Sequence, residues 1–439
     1  MRIALVASQS SSPRPRDAAG QSQRVTSLAE ALGRLGHRVT LYAPNGSPAL
    51  PAKATLARGV TVEQLPAGPG RQNGSRRPSG DEVELDIPAF SDHLARRWQQ
   101  DPPDVAHAHF WTGGLAALAG ARGLNLPVVQ TFHSLGALPA DDRRAALDSG
   151  PARPPASPAR ASRRAGRSAG RQQDNGHQLA RIRLEVCLAR NANAVLATSS
   201  EQLTKLAGLG VPRASIRVVP WGVDTGRFAP EGPVARRNGR PRLLAVRQSA
   251  DQPGLDTVLR ALTEIPEAEL LIAGGPSGLG PANQDLAGLA RDLGVADRVT
   301  FTGDVSRTHL PALLRSADLL LSGEWEDPSG AVALQAMACG TPVAASTAGV
   351  VGDAVIDGTT GFVVPPARPS ALARRIRRLF ASPIQLEAFS IAAVDRVRSR
   401  YSWDRIGRET VQAYERCLPH QFPAADEPEP EDADSSQEG

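Results

Sequence analysis

Asp327-Pro-Ser-Gly-Ala-Val-Ala-Leu-Gln-Ala-Met-Ala-Cys-Gly-Thr-Pro-Val343 is the stretch on which the fold turns. Before it, the apolar run Leu319–Leu321 reads as a buried strand, and Pro342–Ala345 reads as the next one. Between them a loop carries Asp327 and a helix opens near Gly330. Backbone N–H groups of Gly330, Ala331 and Val332, together with the helix dipole, make such an opening a site for an anion. Asp327 and Gln335 have seven residues between them, one at the helix entrance and the other two turns inside. Taken alone, the same residues also fit an Asp near an N-cap followed by an ordinary buried helix.

Working outward, apolar runs alternate with helix-period segments over most of the 439 residues, the pattern of parallel sheets covered by helices on both faces. Strands are expected at Ile3–Ala7, Val39–Tyr42, Val60–Val62, Val105–His109, Val128–Phe132, Ala194–Thr198 and Ile216–Val219. Gln23–Leu35 and Gln178–Ala189 read as helices. A second set of strands follows at Leu243–Val246, Leu270–Ala273, Val299–Phe301, Leu319–Leu321 and Pro342–Ala345. The expectation is an α/β chain of two Rossmann-like, doubly wound domains facing a central cleft, because strand C-termini are where such sheets bind ligands. Residues 1–223 form the first domain, 224–240 a linker, 241–400 the second domain and 401–419 a C-terminal helix.

Composition narrows the class. Hydrophobic content of 41% suits a globular chain, and aromatics at 4% leave Leu, Val and Ala to fill the cores. The apolar run 3–7 is too short for a signal peptide and no later stretch approaches a membrane span, so a cytoplasmic protein is expected. Cys187, Cys339 and Cys417 lie far apart and support neither a disulfide framework nor a zinc site. His107 and His109 share a strand with no carboxylate or thiol beside them, which argues against a zinc site with His133. Lys53 and Lys205 are the only lysines, so nearly all positive charge is arginine, a bias that codon usage alone can produce. Six arginines without an acidic residue fall between Pro151 and Arg171, inside an Arg/Pro/Ala-rich insertion spanning 140–175. The tail 420–439 is acidic. Neither block can bury enough apolar surface to offset ordering entropy, so both are expected to be disordered. No aromatic residue interleaves with the arginines to stack bases, and no nucleic-acid partner is expected.

The segment 327–343 resembles the sugar-nucleotide site of the family-four retaining glycosyltransferases. There a glutamate precedes Pro-Phe-Gly and a second glutamate lies in an Ala-Met-Ala-Cys-Gly context. Val355-Ile-Asp-Gly-Thr-Thr-Gly-Phe-Val-Val-Pro365 continues the likeness. Asp17-Ala-Ala-Gly-Gln-Ser-Gln-Arg-Val25 resembles the glycine loop of the sucrose-phosphate-synthase and mycothiol-pathway branches. His107-Ala-His-Phe-Trp111, Thr131-Phe-His-Ser-Leu-Gly136 and Val218-Val-Pro-Trp-Gly-Val-Asp-Thr-Gly-Arg-Phe228 follow in the expected order. Only the insertion and the tail fall outside the resemblance, and an ordered series of partial motifs is far more specific than any one of them.

The resemblance implies a GT-B fold and transfer of a hexose from a nucleotide diphosphate sugar to a small hydroxylated acceptor. Anomeric configuration would be retained, with no metal or other cofactor. It implies that Gly20 lets backbone approach a phosphate or the acceptor, with Gln21 beside it, and that His133 lies near the donor sugar. Arg247 aligns with a diphosphate-binding arginine. Asp327 would hold a sugar hydroxyl and Gln335 a ribose hydroxyl, with Ser329, Gly330, Ala331 and Val332 around the diphosphate. His109, Arg181 and Glu185 fall on the acceptor side, although an exposed i,i+4 pair also fits the last two. Two departures stand out. The paired glutamates have become Asp327 and Gln335, and a lysine expected shortly after Arg247 falls on Gln252 or Pro253. These changes raise the alternative of a weak or non-catalytic GT-B protein that binds a ligand or partner.

Overall fold

A computed structural model of the chain describes residues 1–7, 20–45, 51–65, 86–136, 165–247, 254–274, 281–322, 330–345 and 349–418. The first eight strands are β1 (Arg2–Ala7), β2 (Arg38–Pro44), β3 (Lys53–Ala57), β4 (Val60–Leu65), β5 (Val105–His109), β6 (Val128–Thr131), β7 (Ala194–Ala197) and β8 (Ile216–Val218). They form one sheet in the order β3-β4-β2-β1-β5-β6-β7-β8, parallel throughout except at the β3–β4 edge. The second sheet holds β9 (Arg242–Val246), β10 (Glu269–Ala273), β11 (Val299–Gly303), β12 (Leu319–Ser322), β13 (Val343–Ala345) and β14 (Gly361–Val363). Its order is β11-β10-β9-β12-β13-β14, all parallel. These are two Rossmann-like α/β domains.

Strand alternation decides what each face covers. In β1, Ile3, Leu5 and Ala7 join one core while Ala4 and Val6 join the other. In β9, Leu243 and Ala245 face one side and Leu244 the opposite one. Each fully buried Leu or Val contributes about 1.5–3 kcal/mol relative to an exposed one, which is why these runs lack polar residues. On β5 the same alternation puts His107 and His109 on the side of Val105, among the Ile3 and Leu5 cluster.

That face is covered by two helices far apart in sequence. Gly20–Arg34 supplies Val25, Leu28 and Leu32, and Trp403–Glu415 supplies Trp403, Ile406, Ala413 and Tyr414. The second helix follows the second sheet in the chain yet packs on the first. A bridge between Val223 and Ser402, with the Val223 N–H donating to the Tyr401 carbonyl at 2.8 Å, marks where the chain recrosses. The segment read as a linker is held down. Phe228 enters the second-sheet core, and Arg315 donates to the carbonyls of Pro233 at 2.8 Å and Ala229 at 3.1 Å.

Three elements differ from the sequence reading. β3 and β14 were not expected. β3 is a half-exposed edge strand and β14 a three-residue strand that begins in glycine, so neither carries a strong apolar run. The helix expected at Gln178–Ala189 spans Ala165–Asn191, so the last part of the supposed insertion is helical. That added stretch mixes the good helix formers Ala, Arg and Gln with Gly166, Gly170 and Gly176, each costing about 1 kcal/mol in a helix, so its composition does not mark it as helical. The rest of that insertion and the acidic tail lie outside the described residues.

Candidate active site

The chain leaves β1 for β2 on one side and β5 on the other, and leaves β9 for β10 and β12, so each sheet has a switch point at its C-terminal edge. In register, Ala7 pairs with His109 and His109 with Thr131, which aligns the ends of β1, β5 and β6. His133 follows two residues past β6. Its Nε2 lies 3.3 Å from His109 Nδ1. Phe110 stacks on the His133 ring with centroids 3.8 Å apart, and Trp221, just past β8, lies at 4.7 Å. Phe110 adopts a φ of 64°, a costly conformation for an aromatic residue. The carbonyl of Phe110 accepts from Gln130 Nε2 at 3.0 Å. Arg24 sits over Trp221 at 5.7 Å.

The three imidazoles are buried together. His107 Nδ1 is 2.6 Å from the Tyr414 hydroxyl and its Nε2 is 2.7 Å from Thr131 Oγ1. His109 Nε2 and His133 Nδ1 have no partner among the described residues. Burial penalises the charged form, so His109 is pushed down to about 3 and His107 and His133 well below the usual imidazole range. All three are neutral at pH 7. Unfolding returns each to about 6.5, so below that pH the unfolded chain binds more protons than the folded one. The contribution of these three rings to stability is therefore nearly constant above about pH 7 and falls as pH drops below about 6.5, by about 1.4 kcal/mol per pH unit for each ring. Thermal unfolding at pH 7.5, 6.5 and 5.5 checks this, and an unchanged Tm at pH 5.5 contradicts it.

The turn after His133 is clamped from the helix 165–191. Glu185, with no exposed surface, accepts from the Gly136 N–H and from Arg181 Nε, both at 2.8 Å. Arg181 also donates to the Ser134 carbonyl and hydroxyl at 3.2 Å. An exposed helical pair would leave the carboxylate in solvent; here it holds the backbone next to His133. His109, expected on the acceptor side, lies behind His133 with no exposed surface.

On the second sheet, Arg247 follows β9 and is 4% exposed, its N–H bonded to the Ala273 carbonyl at 2.6 Å. Gly330 takes a φ of 59° as the N-cap of the helix Ala331–Ala338, and a Cβ there would press on Val350 at 3.0 Å. Gln335 lies on that helix, half buried. Gly20 and Gln21 open the helix that follows β1. Asp327, Ser329, Gln252 and Pro253 lie outside the described residues.

The two edges meet. Ser200 starts the helix after β7, Asp353 lies in the helix after β13, and the Ser200 N–H donates to Asp353 Oδ2 at 2.7 Å. On one side of this contact Val350 packs against Gly330. On the other, Gln202 donates to the Phe132 carbonyl at 2.9 Å, one residue before His133. A contact between helices that both follow strand C-termini turns the two C-terminal edges towards each other. Among the described residues no group of three His, Cys, Asp or Glu side chains is placed to hold a metal, and no helix is long and apolar enough to cross a membrane.

The model for Glycosyltransferase Family 4 matches residues 18–227, and that for Glycosyl transferases group 1 matches residues 232–396. The D-inositol 3-phosphate glycosyltransferase of Actinosynnema mirum is 32% identical over 91% of this chain and 92% of its own length. The chain belongs to glycosyltransferase family 4. The Kribbella flavida protein of the same name is 30% identical over 94% of this chain and 95% of its own. Among solved structures, a sucrose-phosphate synthase from Thermosynechococcus elongatus superposes with a TM-score of 0.69 at 26% identity, covering 94% of this glycosyltransferase and 98% of that chain. Anabaena HepE in complex with UDP superposes at 0.65 with 16% identity, a likeness of GT-B fold. The protein is a glycosyltransferase, and none of these relatives favours a non-catalytic reading. Sequence reasoning assigned no role to Phe110, Gln130, Trp221 or Arg24. The available signal was an aromatic just past a strand end, at Phe110 and Trp221, in a chain with few aromatics.

Proposed function

We propose that this glycosyltransferase moves a hexose from a nucleoside diphosphate sugar to a small hydroxylated acceptor, with retention at the anomeric carbon and no metal. The observation that carries the reading is the meeting of the two C-terminal edges. In this reading His133, neutral and with an unpartnered Nδ1, serves from the first sheet and Arg247 with the Gly330 helix start from the second. Arg247 and the N-terminus of the helix 331–338 answer the negative charge that grows on the leaving diphosphate, which is the interaction that accelerates transfer. His133 meets a sugar hydroxyl as an uncharged hydrogen-bonding partner. Retention follows when the acceptor approaches on the face the diphosphate leaves, a phosphate oxygen taking its proton. Ser329 and Asp327 complete the donor side of this reading, with Gly20, Gln21, Arg181 and Glu185 shaping the acceptor side. The relatives named D-inositol 3-phosphate glycosyltransferases make a phosphorylated inositol the first acceptor to test.

A thermal-shift screen with UDP, GDP, ADP and their sugars tests donor binding. One nucleotide series should raise the Tm; no response to any of them contradicts the reading. The departures from the family pattern should be legible in the same assay. A hydrogen bond from ribose to a carboxylate exceeds one to an amide by about 1 kcal/mol or more, so Gln335→Glu should tighten nucleotide binding roughly tenfold. Combining it with Pro253→Lys should raise turnover as well. If the double change improves neither, the native residues already compensate.

A further inference from the structure

We propose that the corner between the helices Pro369–Phe380 and Pro383–Arg400 is a docking surface for an anionic lipid bilayer. Arg374, Arg377 and Arg378 meet headgroup phosphates there, and Ile384 and Ile391 enter the acyl boundary. The outer face of the second helix is apolar where a surface helix is ordinarily polar. Phe389, Ala393, Val394 and Val397 face the core. At about 3.6 residues per turn, Ile384, Ala388 and Ile391 fall on the opposite side in one stripe, with Glu387 beside it and Asp395 at its far end. Ile384 is 84% and Ile391 58% exposed, the two highest values for large apolar side chains among the described residues. A single exposed isoleucine needs no explanation, but two on one stripe mark a contact surface.

The charge around the stripe names the partner. From Arg368 to Arg400 eight arginines stand against Glu387 and Asp395, a net +6 in a chain whose whole net charge is +5. Arg375 pairs with Asp357, Arg398 with Glu231 and Arg400 with Glu409. Arg396 donates to the Asp353 and Ala354 carbonyls, both at 2.6 Å. Arg374, Arg377 and Arg378 are exposed and form no ion pair among the described residues. They share one side of a helix that buries Ala373, Ile376 and Leu379 on the other. Only Ala381 and Ser382 separate that helix from the next. Ser382 caps the second helix, accepting from the Gln385 N–H at 3.4 Å with Pro383 at the first helical position, so Ile384 emerges at the corner just after the arginine turn. Phe380 and Leu386 join the core cluster of Ile376, Leu379 and Phe389, which holds the two helices together. A second copy of the chain would set +6 against +6. The chain's own tail, 423–439, has seven carboxylates but no large apolar side chain to cover the isoleucines. An anionic bilayer supplies both complements, phosphates for the guanidinium groups and acyl chains for the isoleucines.

The test is co-sedimentation of the full chain with vesicles of phosphatidylcholine alone and of phosphatidylcholine mixed with phosphatidylglycerol. The chain should bind the mixed vesicles and not the neutral ones, and added salt should weaken the binding. Arg374→Gln, Arg377→Gln and Arg378→Gln together should lower the partition coefficient roughly hundredfold, about fivefold for each charge. Ile384→Ser with Ile391→Ser should lower it roughly tenfold or more. None of the five side chains is buried, so both variants should melt with the unaltered protein and keep its turnover in the absence of lipid. Failure of the full chain to bind mixed vesicles overturns the proposal, as does equal binding to neutral ones. Binding that survives the arginine changes belongs to the arginines between Pro151 and Arg171 and overturns it too. Self-association that the isoleucine changes abolish, without vesicle binding, gives the face to a second copy instead. Should one variant melt early, the other still decides the outcome.

Discussion

Arg247→Ala should lower turnover by roughly 10²–10³-fold, because a preorganised group aimed at charge developing in the transition state carries that much. Arg247 sits at the end of β9, at the switch point of the second sheet, and is almost wholly buried. A buried guanidinium meets a diphosphate through a planar fork of donors. Arg247→Lys keeps the charge and loses the fork, so its turnover should fall between the two. The drop should appear in kcat as well as in nucleotide affinity, since the leaving diphosphate gains charge as the glycosidic bond breaks. Steady-state kinetics with a melting curve for each variant separates this from unfolding. An alanine variant that stays folded and turns over at the native rate would show that another group meets the diphosphate.

Gly274→Ala should damage the same site through the backbone. Gly274 follows β10 with a φ of 90°, and a Cβ there would lie well inside contact distance of the Arg247 carbonyl oxygen. The residue is also tied by its N–H to the Gly303 carbonyl at 2.8 Å, so it has no room to retreat. The left-handed conformation alone costs an alanine about 1–2 kcal/mol. With the overlap added, a loss of about 3 kcal/mol or more is expected, or roughly 6–12 °C in the Tm of a domain of this size. Relief of the clash must move either β10 or the Arg247 backbone. Turnover at a temperature where the variant is folded should therefore fall as well, by roughly tenfold or more if the guanidinium shifts by about 1 Å. Loss of stability with native turnover would show that Arg247 keeps its place independently of β10.

Much of this could be read from residue order because parallel strands buried on both faces leave unbroken apolar runs. The apolar stretches of β1, β9 and β12 are such runs, and His109, His133, Arg247 and Gly330 were legible as candidates because each falls at or just past a strand end or at a helix start. β3 was not, since Lys53–Ala57 is a half-exposed edge with no run to detect. The supports of the site were also hidden. Tyr414 meets His107 across 307 residues of sequence, and Gln202 meets Phe132 across 70, separations at which no local pattern operates. Arg181 and Glu185 show a different limit. Their spacing is the same whether the pair is solvated or clamps a turn, and only the Gly136 N–H, supplied from elsewhere in the chain, distinguishes the two.

Hexose transfer itself is the most direct measurement: release of nucleoside diphosphate with and without a phosphorylated inositol, with the anomeric carbon of the product read by NMR. Acceptor-dependent release, a product with the anomeric configuration of the donor, and loss of both in Arg247→Ala and in His133→Ala are expected, one residue from each sheet. An inverted product, or transfer at the native rate after either residue is removed, would contradict a retaining site shared by the two sheet edges.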